Sequence, residues 1–237
     1  MKFKYTGGNN TDLISFEEPA DNFIDFCIEY NKFDYVSFDF DETITLPKGI
    51  KDIFLELDSY SSLDPLQARR EQEREREIAL LKKEAIYSCS LPPPENSERH
   101  LFKDFDIPSD ITFNKIIDIL NRFNKKSNIL VTTLRSKEFN TFYGENRKIE
   151  TILEKENIKA EIIYTTGEPK SGKILEKTKN KTVLHFDDSK AVLLECSNKC
   201  IGCIFVDTHG RLFYNTFQMK NWFPKIWSEY VKFENKR

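Results

Sequence analysis

Tyr35-Val36-Ser37-Phe38-Asp39-Phe40-Asp41-Glu42-Thr43 is an apolar, aromatic run that ends in acids and a hydroxyl. Aromatic and β-branched residues favour a strand. The polar residues gather at its carboxyl end. Three more segments repeat that pattern. Asn128-Ile129-Leu130-Val131-Thr132-Thr133 ends in hydroxyls, 160–164 precedes Thr165 and Thr166, and 182–186 runs into Asp187-Asp188. A further apolar segment spans 200–206. Helical periodicity fills the gaps at 111–123, 148–157, 172–179 and 189–197. Strands alternating with helices predict an α/β fold, a Rossmann-like parallel sheet with helices on both faces.

Outside that body the chain changes character. Residues 1–34 read as an N-terminal extension whose helix, over 17–32, is capped by Asp21. Residues 35–45 and 110–210 form the core. Residues 46–109 read as a helical insertion. Its helix starts at Asp64-Pro65 and reaches about Tyr87. The Arg/Glu run at 69–77 makes a solvated face with i,i+4 pairs, and the Pro-rich stretch at 91–97 ends the helix. Residues 211–237 read as an aromatic helix packed on the core, carrying Phe217, Trp222, Phe223, Trp227 and Tyr230.

Composition narrows the function. The chain has 237 residues, 36 basic against 39 acidic, and a net charge of -3, which excludes a broad basic footprint for nucleic acid. No apolar run is long enough to span a membrane, and no apolar signal core opens the chain. Five cysteines do not make a disulfide framework, so the cytoplasm, or the nucleus, is the expected compartment.

In an open parallel sheet, ligands bind beyond the carboxyl ends of the strands. That rim would collect Asp39, Asp41, Asp187 and Asp188, with Thr132, Thr133, Arg135 and Lys170. Clustered carboxylates repel, and Mg²⁺, which takes oxygen ligands and is commonly shared with phosphate, relieves the repulsion. Hydroxyls and a lysine suit phosphate oxygens. An aspartate can attack phosphorus, and a second carboxyl can move protons.

These residues resemble the haloacid dehalogenase (HAD) superfamily. Asp39-Phe40-Asp41-Glu42-Thr43 matches its DxDx[TV] signature, and Thr132, Lys170 and Asp187-Asp188 follow in its order. The resemblance implies that Asp39 is the nucleophile and a Mg²⁺ ligand. Asp41 would serve as acid and base and give the metal its backbone carbonyl. Thr132 and Lys170 would hold the phosphoryl group, and Asp187 with Asp188 would complete the metal site. Thr133 is the alternative to Thr132, and Lys173 to Lys170. Lys170 is preferred because Ile174 then packs as the family's helix does. The insertion at 46–109 would occupy the position of a C1-type cap. The implied activity is a Mg²⁺-dependent phosphatase acting on a phosphorylated small molecule or nucleotide. Nucleic-acid ends are an alternative, suggested by Arg122, Lys125, Lys126, Arg135, Lys137 and Arg147. A catalytically silent binding module is the other.

Cys196, Cys200 and Cys203 have CxxxCxxC spacing and read as three buried free thiols rather than a cluster or zinc site. His185 reads as a core or sheet-face residue, and His209 as a turn residue.

Overall fold

The computed structural model of the chain describes residues 15–46, 111–135, 137, 148–166, 168–179, 181–207 and 209–236. The insertion helix, the Arg/Glu run and the Pro-rich return lie outside these residues, as does Arg147.

The strands are β1 (Glu18–Pro19), β2 (Tyr35–Asp39), β3 (Thr45–Leu46), β4 (Ile111–Thr112), β5 (Asn128–Thr133), β6 (Glu161–Tyr164), β7 (Val183–Asp187), β8 (Gly202–Val206) and β9 (Leu212–Tyr214). The helices are α1 (Asp21–Glu29), α2 (Asn114–Asn124), α3 (Ile149–Lys155), α4 (Lys170–Thr178), α5 (Lys190–Ser197), α6 (Thr216–Trp222) and α7 (Pro224–Glu234). The main sheet has seven strands in the order β1-β9-β8-β7-β2-β5-β6. From β8 to β6 every pairing is parallel; β9 and β1 pair antiparallel at the far edge. The chain builds outward from β2 through β5 to β6, then returns to the other side of β2 for β7 and β8. The strand order therefore reverses between β2 and β7, where such sheets open a crevice at their carboxyl ends.

Side chains alternate between the two faces of a strand. Val36, Phe38, Leu184 and Phe186 join the larger buried cluster, with Phe23 and Phe26 of α1, Ile116 and Leu120 of α2, and Tyr230 of α7. Phe38 and Phe186 stack across the β2–β7 boundary with centroids 4.3 Å apart. Val183 and Cys203 face the other way and join Ile174 of α4 with Leu193 and Cys196 of α5. On that second face β2 carries Ser37 and Asp39, both buried, so one face of the central strand is apolar and the other polar.

Several boundaries differ from expectation. Residues 17–32 are not all helix: Glu18–Pro19 pairs with β9, and Ala20, not Asp21, occupies the N-cap of α1. Proline cannot donate to a ladder and is tolerated at a sheet edge, which is where β1 lies. Ile111 and Thr112 do not open α2 but pair with Leu46 and Thr45, so the chain leaves and re-enters the core on two adjacent antiparallel strands. The C-terminal segment is not one helix. It contributes β9, then α6, and breaks at Phe223 because Pro224 has no N–H and disfavours a helical residue before it.

Gln218 of α6 makes a join that no periodicity announces. Its fully buried amide donates to Ile201 O at 2.8 Å and accepts from Cys203 N at 3.0 Å. It therefore completes the hydrogen bonding of β8 beyond the reach of β9. Gln218→Leu should leave Cys203 N unpaired and Ile201 O with only the weak Cys203 thiol donor at 3.3 Å, and cost about 1–3 kcal/mol for the orphaned N–H. Urea unfolding, read as a shift in midpoint at constant slope, checks this.

Candidate active site

The carboxyl ends of β2 and β7 meet the first turn of α4, with the end of β5 beside that of β2. Asp39 ends β2, Asp187 ends β7 and Lys170 starts α4; all three are buried. Lys170 Nζ lies 2.7 Å from Asp39 Oδ1 and 2.8 Å from Asp187 Oδ2. Burial opposes the charge on this lysine, but the two carboxylates outweigh it and raise its pKa above the ordinary value. Lys173, one turn on, is partly exposed and pairs with Glu168 at 3.0 Å. Of the two lysines, Lys170 is the one at the rim.

One ammonium cannot neutralise every acid here. Burial raises the Asp39 carboxyl to about 8; Lys170 opposes that rise, while Asp187 and Asp41 add to it. Burial also raises Asp187, but Lys170 and the His185 hydrogen bond outweigh it and hold that carboxyl below its ordinary value. Asp188 is pushed up to about 9 by burial, by Asp39 and Asp187, and by its contact with Glu42. Ligand oxygens of Asp39, Asp187 and Asp188 can all lie within 4.8 Å of one another. An all-oxygen set with excess negative charge fits a hard divalent cation such as Mg²⁺.

The Asp41 carboxylate does not belong to this group. Its side chain is 43% exposed and sits in a fork: Arg135 Nε lies 3.1 Å from Oδ1, and Nη2 2.5 Å from the same oxygen. Thr133 Oγ1 donates to Asp41 Oδ2 at 3.2 Å and accepts from Arg135 N at 3.0 Å. The Arg135 guanidinium also lies over the Phe40 ring, 4.8 Å from its centroid. Thr132 turns its hydroxyl to Phe38 O at 3.3 Å. The hydroxyl beside Asp41 is thus that of Thr133.

Other candidates separate from the rim. Arg122 pairs with Asp25 at 2.7 Å and Lys126 with Glu29 O at 3.1 Å, and both precede β5, at the sheet's opposite end. Cys196 and Cys203 are buried, but Cys200 is exposed, so the three thiols do not share one buried environment. Burial pushes the Cys203 thiol up to about 12, which leaves it unreactive. His209 does sit in a turn, with its N–H on Asp207 Oδ1 at 2.9 Å. Two polar residues beneath the site were not singled out for it: His185 bonds Asp187, and Ser37 bonds His185. Strand alternation was the available signal, because each lies two residues before a site carboxylate.

The raised carboxyls set a pH dependence. Asp39 and Asp188 are neutral more easily folded than unfolded. Their contribution to stability is complete below the unfolded value, about 4, and is lost as pH rises through about 8 and about 9. Asp188→Asn should therefore raise the melting temperature in EDTA at pH 8 and leave it nearly unchanged at pH 4.5. Thermal unfolding at the two pH values checks this; an equal gain at both would remove the charge explanation.

Among the described residues, no helix is long and apolar enough to cross a membrane. Compared with known proteins, the chain matches no family model, no curated protein and no solved structure.

Proposed function

We propose that the chain is a Mg²⁺-dependent phosphohydrolase of HAD type, acting on phosphate monoesters through an aspartyl-phosphate. The observation that carries this reading is the buried Asp39–Lys170–Asp187 bridge with Asp188 alongside. Such a concentration of acid around one buried lysine has no packing purpose, and it matches the needs of phosphoryl transfer.

Asp39, Asp187 and Asp188 would hold Mg²⁺. The ion would withdraw charge from the phosphoryl oxygens and make the phosphorus more open to attack. Lys170 would orient the same oxygens. An oxygen of Asp39 forms the new bond to phosphorus while the ester P–O bond breaks. The departing oxygen takes the electron pair and a proton from Asp41. Asp41 then takes a proton from water, the water oxygen attacks phosphorus, and Asp39 and inorganic phosphate are released. Arg135 and Thr133 hold the Asp41 carboxylate in place between the steps. The segment at 46–109 would act as the cap.

Hydrolysis of an aryl phosphate should require Mg²⁺, stop in EDTA and fall to background in Asp39→Asn. Full activity in Asp39→Asn would sink the covalent mechanism. A second result separates the two aspartates. Asp41→Asn should slow turnover of an alkyl phosphate about 10²–10⁴-fold, the range for a lost general acid. Formation of the intermediate from nitrophenyl phosphate should suffer far less, because nitrophenolate leaves without a proton. Rapid-quench measurement of the first turnover reads that difference.

A further inference from the structure

Ser37 and His185 face each other in register on β2 and β7, and both are fully buried. Each shares a sheet face with the carboxylate two residues on, Asp39 or Asp187. His185 Nδ1 lies 3.1 Å from Ser37 Oγ, and Nε2 lies 3.1 Å from Asp187 Oδ2. An ionised Asp187 can only accept, so Nε2 carries the hydrogen in that contact. The ring is then held at both nitrogens, by a hydroxyl on one strand and a carboxylate on its own.

An apolar pair would fill the same space without the cost of burying polar atoms. The corresponding positions on the other face, Val36 with Leu184 and Phe38 with Phe186, are apolar. Along the β2–β7 pairing, the polar pair lies directly beneath the carboxylates. Asp187 Oδ1 accepts from Ser189 N at 2.8 Å, and Oδ2 accepts from Lys170 and His185. Lys170 is shared with Asp39, and a phosphate group would compete for it. His185 is the side-chain donor that stays committed to Asp187.

We propose that His185, braced by Ser37, is a positioning residue that fixes the Asp187 carboxylate for Mg²⁺ binding. It touches neither metal nor phosphate and acts through Asp187 alone. This rests on the reading of Asp187 as a metal ligand. Partners that orient a ligating carboxylate are worth about 10–100-fold in metal affinity.

Calorimetric titration of the full chain with Mg²⁺, without substrate, tests the proposal. The set is wild type, Asp187→Asn, His185→Gln, His185→Asn and Ser37→Ala. Gln can present an N–H close to the Nε2 position, whereas the shorter Asn cannot. His185→Asn should bind Mg²⁺ at least about 10-fold more weakly, and His185→Gln should recover most of that loss. Ser37→Ala should weaken binding in the same direction by a smaller factor. A dissociation constant unchanged in His185→Asn overturns the proposal. So do Gln and Asn variants that are equally weakened and equally less heat-stable, because that pattern is structural. If His185→Asn does not fold, Ser37→Ala decides: unchanged Mg²⁺ affinity overturns the brace. Wild type and Asp187→Asn binding Mg²⁺ alike would instead remove the metal-site reading, and the proposal with it.

Discussion

The ammonium of Lys170 is the contact on which the carboxyl end of the sheet depends. It enters from the first turn of α4 and touches the last residue of β2 and the last residue of β7. It thereby ties together the two strands between which the topology reverses. Buried charges persist only when they are paired, and removing one partner strands the other. Here the pairing is incomplete by design of the sequence: one cation faces Asp39 and Asp187, with Asp188 close by. Burial, added to by the neighbouring carboxylates, raises Asp39 and Asp188, while Lys170 and His185 hold Asp187 below its ordinary value. A divalent cation would offset the excess acid with two charges at one point.

The site follows from strand alternation. Phe38 and Phe186 turn one way and stack within the larger core. Ser37, Asp39, His185 and Asp187 turn the other way. Two polar rows therefore lie one above the other: Ser37 with His185 beneath, Asp39 with Asp187 at the rim. The lower row supports the upper one, and the apolar face behind both keeps the strands from shifting register. A slip of either strand by one residue would carry its two polar groups into the opposite core.

Most of this arrangement was legible in the sequence. The central strands are apolar runs with polar ends, and their order along the chain placed Asp39, Lys170 and Asp187 at one rim. The failures have physical causes. Glu18–Pro19, Thr45–Leu46 and Ile111–Thr112 are two-residue strands, too short to show a period of two. The C-terminal aromatics form a helical stripe that runs on through the break at Phe223-Pro224, so their spacing does not mark it. Thr132 and Thr133 are both buried, and only their facing distinguishes them; that facing comes from pairing with β2, not from composition. Arg135 bonds Asp41 across 94 positions of sequence, a contact that requires the folded sheet.

Asp39 and Asp41 are two residues apart, yet their surroundings are opposite, and the turn between β2 and β3 accounts for this. Asp39 is still within the ladder and is enclosed. Asp41 lies past the strand's end, where the chain begins to curl. Ile44 N and Thr45 N both return to Phe40 O, and Glu42 adopts a left-handed φ of 63°, with its N–H on Thr45 O at 2.7 Å. Such a conformation is costly for a residue with a side chain and persists only where its surroundings enforce it. Its effect is to lift Asp41 toward Arg135 while bringing Glu42 to Asp188. The same turn leads straight into β3, which pairs with β4 as the stem of the insertion. The root of residues 47–110 is therefore also the loop that orients Asp41.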